Sequence, residues 1–424
     1  MINKFISDII FFVILSGAVR FLPLLVLVFL TKYFTQEQMG EIELLSATYI
    51  IVAALGMWQL DSSLQRYFRR YGGVIIVPLL VTTLVLTLIF SSIAIFLMKL
   101  FLEIESESIN VILPVSLSLN AFILLSLSVR YSTESKLPLA FVNITQVLIF
   151  FMIIRSFLSN ELLNTVNYFY LLSFSYLASS LLAIFYLRKS LSFGVYYDAM
   201  LTLFKYASPQ MPARLISVVA QYGNRFAVLY FFGVSLLGVY SIAGKFSLVY
   251  GVFLTAFNLV WYPLVFKQES NPRDLNSVYK LTLLSVAILT PALCMFSYLL
   301  YSNFIGEEFQ DGLSLSWVIL YSSSFLIIKE IFDTPLKLAE RPIFISFSYL
   351  IYIIVLCVLL YAFSSKFGLL GIGWAMFLSN FILVWLSHLF SRNLGDLSFN
   401  FTWFAMYALS GVIFLFALEG AFNG

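Results

Sequence analysis

Long apolar runs separated by short polar breaks dominate this chain. Twelve stretches of 17 or more residues carry no Asp, Glu, Lys or Arg: 44–60, 71–98, 108–129, 137–154, 162–187, 226–244, 246–266, 281–306, 312–328, 342–365, 367–391 and 397–418. A membrane helix needs roughly 20 apolar residues, so these runs predict spanning helices. The run 226–244 is an exception, because Phe232-Gly233-Val234-Ser235 reads as a turn that joins the end of one span to the start of the next. Two more spans are interrupted by arginine: residues 9–34 by Arg20, and residues 206–231 by Arg214 and Arg225. Eleven uninterrupted spans and two interrupted ones predict thirteen helices. Pro23, Pro209, Pro212 and Pro291 fall in predicted spans, where neighbouring helices can satisfy the freed carbonyls.

Composition removes the soluble alternatives. Hydrophobic residues are 61% of the 424, charged residues 11%, and mean hydropathy is +0.98, whereas a soluble domain is roughly half apolar and about a quarter charged. The solvent of this chain is lipid. Cys294 and Cys357 both lie in apolar runs, which excludes a disulfide framework and a CxxC metal site. His388, the single histidine, excludes a histidine metal cluster and reads as a polar residue near a helix end. No cofactor is expected. The net charge of +3 is dispersed along the chain and carries no nucleic-acid footprint.

Loop charges set an orientation. With a cytoplasmic N-terminus, sixteen bases fall on the inner side: Lys4, Arg66, Arg69, Arg70, Arg130, Lys136, Arg188, Lys189, Lys205, Lys267, Arg273, Lys280, Lys329, Lys337, Arg341 and Arg392. Four (Lys32, Lys99, Arg155 and Lys366) fall on the other, together with acidic clusters at Glu103–Glu107 and Glu307-Glu308. That asymmetry follows the positive-inside rule. No cleavable signal peptide is expected, since the first apolar run continues through Arg20 into a full-length span. The expected organisation is a six-helix lobe over 1–189, a cytoplasmic connector over 190–205, a second six-helix lobe over 206–392 and an extra C-terminal segment over 393–424. Two turns look alike, Phe34-Thr35-Gln36-Glu37-Gln38-Met39-Gly40 and Phe232-Gly233-Val234-Ser235-Leu236-Leu237-Gly238. Both join an outward helix to an inward one, so a repeat would be parallel, about an axis along the membrane normal.

The charges inside predicted spans carry the candidate chemistry. Arg20, Arg214, Arg225 and Lys245 are bases within helices, against one acid, Asp61. A cation at the bilayer centre costs roughly 2.5–3.5 kcal/mol, so these groups should face an interior, a cavity or one another. Arg214 and Arg225 are eleven residues apart, three helical turns, with Ser217 and Gln221 between them on the same face. An excess of buried positive charge points to an anionic ligand or a water-filled path. The alternative for Arg214, Arg225 and Lys245 is snorkelling to a membrane surface. For Arg20 it is a structural pairing. Asp61 reads as a structural partner of nearby arginines or as an ion-coupling carboxylate. Asn120, Asn143, Gln146, Asn258 and Asn380 read as bridges between helices.

The chain resembles the polysaccharide flippases of the Wzx type, within the multidrug/oligosaccharidyl-lipid/polysaccharide exporter superfamily. The likeness rests on Pro23, on Gln38-Met39-Gly40 and on Ser63-Leu64-Gln65-Arg66-Tyr67-Phe68. It extends through Tyr206-Ala207-Ser208-Pro209-Gln210-Met211-Pro212, Asn224-Arg225-Phe226, Leu237–Lys245, Trp261-Tyr262-Pro263 and Phe367–Trp374. These pieces follow the family's order over most of the chain. The family commonly has Asp-Arg where this chain has Asn224-Arg225, and a thirteenth segment follows the usual twelve helices. The resemblance implies an all-α polytopic membrane protein, MATE-like, with two six-helix bundles around a central cavity that opens alternately to each side. It further implies an undecaprenyl-diphosphate-linked oligosaccharide as substrate, in the bacterial inner membrane. A polysaccharide polymerase and a chain-length regulator are the implied partners. The diphosphate would then meet Arg20, Arg214, Arg225, Lys245 and Gln221, since arginine matches phosphate oxygens bidentately.

Two other classes remain open. A drug or metabolite exporter for organic cations should line its cavity with acids. A membrane-embedded polymerase or glycosyltransferase should carry a substantial external loop with catalytic residues, and the external loops here are short.

Overall fold

The computed structural model describes residues 30–101, 106–133, 137–159, 162–192, 196–265, 272–339, 341, 343–392, 394 and 399–423. The protein is an all-helical, polytopic membrane fold, with no strand among the described residues. The main helices are α1 (Gln36–Met57), α2 (Leu60–Tyr71), α3 (Ile76–Phe101), α4 (Ser106–Asn110), α5 (Ile112–Thr133), α6 (Leu137–Ser159), α7 (Thr165–Leu187) and α8 (Tyr197–Ala207). They are followed by α9 (Met211–Lys245), α10 (Leu248–Val265), α11 (Pro272–Asn303), α12 (Gly312–Phe332), α13 (Thr334–Leu338), α14 (Ile343–Ser391) and α15 (Phe401–Asn423). The predicted first span lies outside the described residues except for its last few positions.

Nine helical segments among the described residues are long and apolar enough to cross a membrane, and three of these run to 66, 38 and 49 residues. Segments of that length exceed one crossing of roughly 20 residues and must turn back. Their breaks are visible in the backbone. Gly233 interrupts α9 at φ 79°, ψ −179°, and Gly368 interrupts α14 at φ 59°, ψ −144°. Both lie in the left-handed half of φ/ψ space that glycine enters without a Cβ clash. The first falls in the turn predicted at 232–235, and the second just after the charge-free run that ends at 365.

The chain divides into two compact units. One is Glu41–Phe226; the other joins the stretch ending at Gly40 to Ala227–Gly424. In the first unit, α2 buries Leu60, Ser63 and Leu64 at i, i+3 and i+4, which places Arg66, Arg69 and Arg70 on its exposed side. Its buried face meets Ala199, Leu203 and Ala207 of α8, and the Ser63 hydroxyl donates to the Leu203 carbonyl at 2.9 Å. Much of the expected connector 190–205 is therefore a helix packed into this unit.

In the second unit the two look-alike turns pack against each other. A Cβ added to Gly40 would stand 1.9 Å from the Val234 carbonyl oxygen, and one added to Gly238 would stand 2.0 Å from that of Gln36. The seventh residue of each turn thus rests on the third residue of the other, a reciprocal contact of the kind a two-fold axis generates. The Ser235 hydroxyl donates to Gln36 Oε1 at 2.7 Å across the same junction. Lipid offers no hydrophobic drive between helices, so close backbone approach at small residues and interhelical hydrogen bonds hold such contacts.

The thirteenth predicted helix, α15, is built into this unit. The Tyr407 hydroxyl lies 2.8 Å from Thr290 Oγ1 of α11 and 2.8 Å from Ser324 Oγ of α12. Thr290 continues the chain to the Tyr250 hydroxyl of α10. One buried hydroxyl network therefore ties four helices together.

Candidate functional site

The Glu41–Phe226 unit contains a half-open cavity of about 300 Å³. Three faces of ordinary helical spacing make its walls. Helix α9 contributes Arg214, Val218, Gln221 and Tyr222, at i, i+4, i+7 and i+8. Helix α1 contributes Ile50, Ala53, Ala54 and Met57. Helix α5 contributes Leu119, Asn120 and Ile123, and Asp61 of α2 completes the wall. Three of the sequence-derived candidates, Asp61, Arg214 and Gln221, are therefore brought to one cavity.

The charges on this wall are not paired with each other. Arg214 has no carboxylate within 4 Å among the described residues, and its side chain is exposed. Asp61 Oδ1 is buried with no hydrogen-bond partner. Asn120 is 1% exposed. Its Nδ2 donates to the Ala53 carbonyl at 2.9 Å and to Thr87 Oγ1 at 2.6 Å, while its Oδ1 has no partner. The helix-bridging role expected of Asn120 is present, together with a buried acceptor left without a donor on a residue of the cavity wall.

Arg225 has a different setting from the expected one. It neither lines this cavity nor stands alone: its Nε donates to Glu43 Oε1 at 2.9 Å, and Nη1 donates to Asn224 Oδ1 at 2.7 Å and to the Gln221 carbonyl. Its guanidinium also lies 5.1 Å from the Tyr222 ring centroid. Glu43 is 3% exposed. The sequence reading missed it because the charge-free run begins at residue 44, whereas α1 begins at Gln36. Placing Glu43 outside the span, and Asp61 as the single internal acid, is corrected by this helix start.

A second correction concerns Lys329, which was expected in a cytoplasmic loop. It lies in α12, 2% exposed, with Nζ 2.5 Å from Oδ2 of the fully buried Asp333. The Tyr349 ring centroid is 4.2 Å away. The charges at 329 and 333 sit one helical turn apart, which permits the pairing. Adding Glu43, Asp333 and Lys329 to the internal charges shrinks the expected four-to-one excess of bases over acids.

The remaining candidates stand apart from the cavity. Arg20 lies outside the described residues. Lys245 is the last residue of α9, half-buried, and belongs to the other unit. His388 stacks on Phe401 with centroids 5.1 Å apart, a packing role in keeping with its reading as a polar residue near a helix end. Cys294 is buried and Cys357 exposed, both as free thiols. No group of three metal-ligating side chains occurs among the described residues.

Comparison with solved structures supplies the fold relatives. A lipid II flippase MurJ in an inward closed conformation superposes with a TM-score of 0.72 at 17% identity, covering 97% of this chain and 93% of that one. A eukaryotic MATE transporter gives a TM-score of 0.61 at 12% identity, covering 97% and 98%. A transporter of the MOP superfamily from Pyrococcus furiosus, described by a reverse polarity of its binding pocket, gives 0.58 at 14% identity, covering 92% and 94%. No protein-family model and no curated protein matches the sequence. The chain has the fold shared by these flippases and transporters.

Proposed function

We propose that this protein is a flippase for undecaprenyl-diphosphate-linked oligosaccharide, carrying it from the cytoplasmic to the outer leaflet by alternating access. In this reading the diphosphate crosses on basic side chains, Arg214 first among them and assisted by Gln221, with Arg20 and Lys245 as further candidates and Arg225 held by Glu43 instead. The lipid tail stays in the bilayer. The lobes 1–189 and 206–392, joined by 190–205, rock one against the other, and 393–424 forms an added span. The protein resides in the bacterial inner membrane with a cytoplasmic N-terminus and serves a polymerase and a chain-length regulator. It is a transporter and not an enzyme.

One observation carries the reading: Arg214, on helix α9, lines a half-open cavity with its side chain exposed and no carboxylate partner among the described residues. A base in that setting is costly unless an anion or water meets it. The fold shared with a lipid II flippase supports the same class of cargo.

The test is transfer of a fluorescent diphosphate-linked saccharide across proteoliposomes. Arg214→Ala is expected to lower the rate at least tenfold while leaving the melting temperature unchanged. An unaltered rate would remove Arg214 from the path. A second reading, export of an organic cation, is favoured by the Asp61 carboxylate on the same cavity. It predicts dye transport that lipid-linked saccharide does not inhibit.

A further inference from the structure

Two residues of the cavity wall each carry a buried oxygen without a donor, a need that an ionised diphosphate cannot meet. Asn120 Nδ2 is held by the Ala53 carbonyl, which only accepts, and by Thr87 Oγ1, whose proton goes to the Thr83 carbonyl at 2.6 Å. Turning the amide over would set oxygen against oxygen, so its orientation is fixed and Oδ1 is the atom left without a donor. Asp61 Oδ1, on the same wall, is also buried without a donor. Each such acceptor is destabilising until a donor reaches it. An ionised diphosphate is acceptor-only, and the Asp61 carboxylate repels it. The complement of this wall is a compact ligand that carries several hydroxyl donors.

Size and lining agree with one sugar ring. A volume of about 300 Å³ lies at the lower end of small-molecule pockets, which run from ~300 to 1,000 Å³, and leaves room for one ring and not for an oligosaccharide. Tyr222, Met57 and Val218 offer aromatic and apolar surface for the C–H faces of such a ring. Arg214 supplies donors on the same wall for a phosphate attached to it.

We propose that this cavity is a saccharide subsite. The pyranose next to the diphosphate donates hydroxyls to Asp61 Oδ1 and Asn120 Oδ1, lies against Tyr222 and holds its glycosyl phosphate at Arg214. The proposal rests on the flippase reading above and adds to it a place where the first sugar is selected. Asp61 is then a specificity-determining acceptor for that sugar.

The experiment uses the full chain in nanodiscs, titrated with a panel of neutral methyl hexosides, hexose 1-phosphates and inorganic pyrophosphate, with binding read by calorimetry. At least one hexose 1-phosphate is expected to bind more tightly than pyrophosphate. Asp61→Ala is expected to weaken that hexose 1-phosphate about tenfold and, by removing a repelling charge, to strengthen pyrophosphate. The opposite signs are the signature of the subsite. Asp61→Asn keeps an acceptor oxygen and should retain most of the saccharide affinity, while Asn120→Ala should lose it. Thermal melting checks that each variant is folded, and the Asp61 pair carries the test if Asn120→Ala is not. Strengthening of both ligands by Asp61→Ala, or pyrophosphate binding at least as tightly as every hexose 1-phosphate, would overturn the proposal, the two acceptors then holding water only. Should the signs appear while proteoliposomes transfer no diphosphate-linked saccharide, the subsite stands and the flippase reading falls.

Discussion

Arg225 and Glu43 form an ion pair within the Glu41–Phe226 unit, Nε to Oε1 at 2.9 Å, between helices α9 and α1. The guanidinium is saturated further by Asn224 and the Gln221 carbonyl. An arginine so occupied is costly to strip of its acid, because removal leaves a charge with little water around it. Glu43→Ala and Arg225→Ala should each destabilise the protein by about 3 kcal/mol, and a double-mutant cycle should give a coupling of at least about 1 kcal/mol. Thermal unfolding in detergent measures both. Additive losses would mean the pair does not act as one.

The reciprocal turns predict a sharp contrast among glycines. Gly40→Ala or Gly238→Ala drives a methyl group to about 2 Å from a carbonyl oxygen, which requires one backbone to move away. Each variant should lose folded, monodisperse protein on size-exclusion chromatography. Gly244 is helical with no heavy atom within 4 Å of an added Cβ, so Gly244→Ala should be neutral or stabilising by up to about 1 kcal/mol.

Lys329 and Asp333 are buried together in the other unit. Lys329→Met leaves Asp333 without its counter-ion and should cost about 3–5 kcal/mol. Replacing both, as Lys329→Met with Asp333→Leu, should recover most of that loss, since a buried ion pair is often matched by apolar residues of similar volume. Melting curves of the single and double variants check the order.

Tyr407→Phe removes the centre of the hydroxyl network that holds α15 to α11 and α12. The expected cost is about 1–2 kcal/mol, the sum of two modest interhelical hydrogen bonds. A loss of that size, measured by thermal unfolding, distinguishes an integral helix from one loosely appended. A cysteine at position 423 labelled in intact cells then reports the side on which it ends; cytoplasmic protection would contradict thirteen spans.

Patterns local to one helix were readable from the chain. The turn at Gly233 was visible as a glycine between two apolar runs, because a non-helical residue leaves a mark in the sequence itself. The shared face of Arg214 and Gln221 was visible because the period of 3.6 residues follows from the backbone alone. Glu43 was not readable as an internal acid, since a run defined by lacking charges stops where the charge begins. Lys329 passed for a loop base for the same reason: a single residue beyond an uncharged run looks like an end until the helix is seen to continue to Phe332. Asn120 was legible as a bridge, but which of its two amide atoms would stay unbonded depended on Ala53, 67 residues away.

The sequence by itself determined that the solvent is lipid, that the described residues are almost all helical and where the main turns fall. Hydrophobic runs and helical periodicity are properties of neighbouring residues, and they survive in any tertiary arrangement. Only the tertiary structure decided which charges neutralise one another and which face a cavity. It gave Arg225 to Glu43 and Lys329 to Asp333, and it left Arg214, Asp61 and Asn120 on one wall. Charge pairing depends on distances between helices remote in the chain, and spacing along one helix carries no record of them.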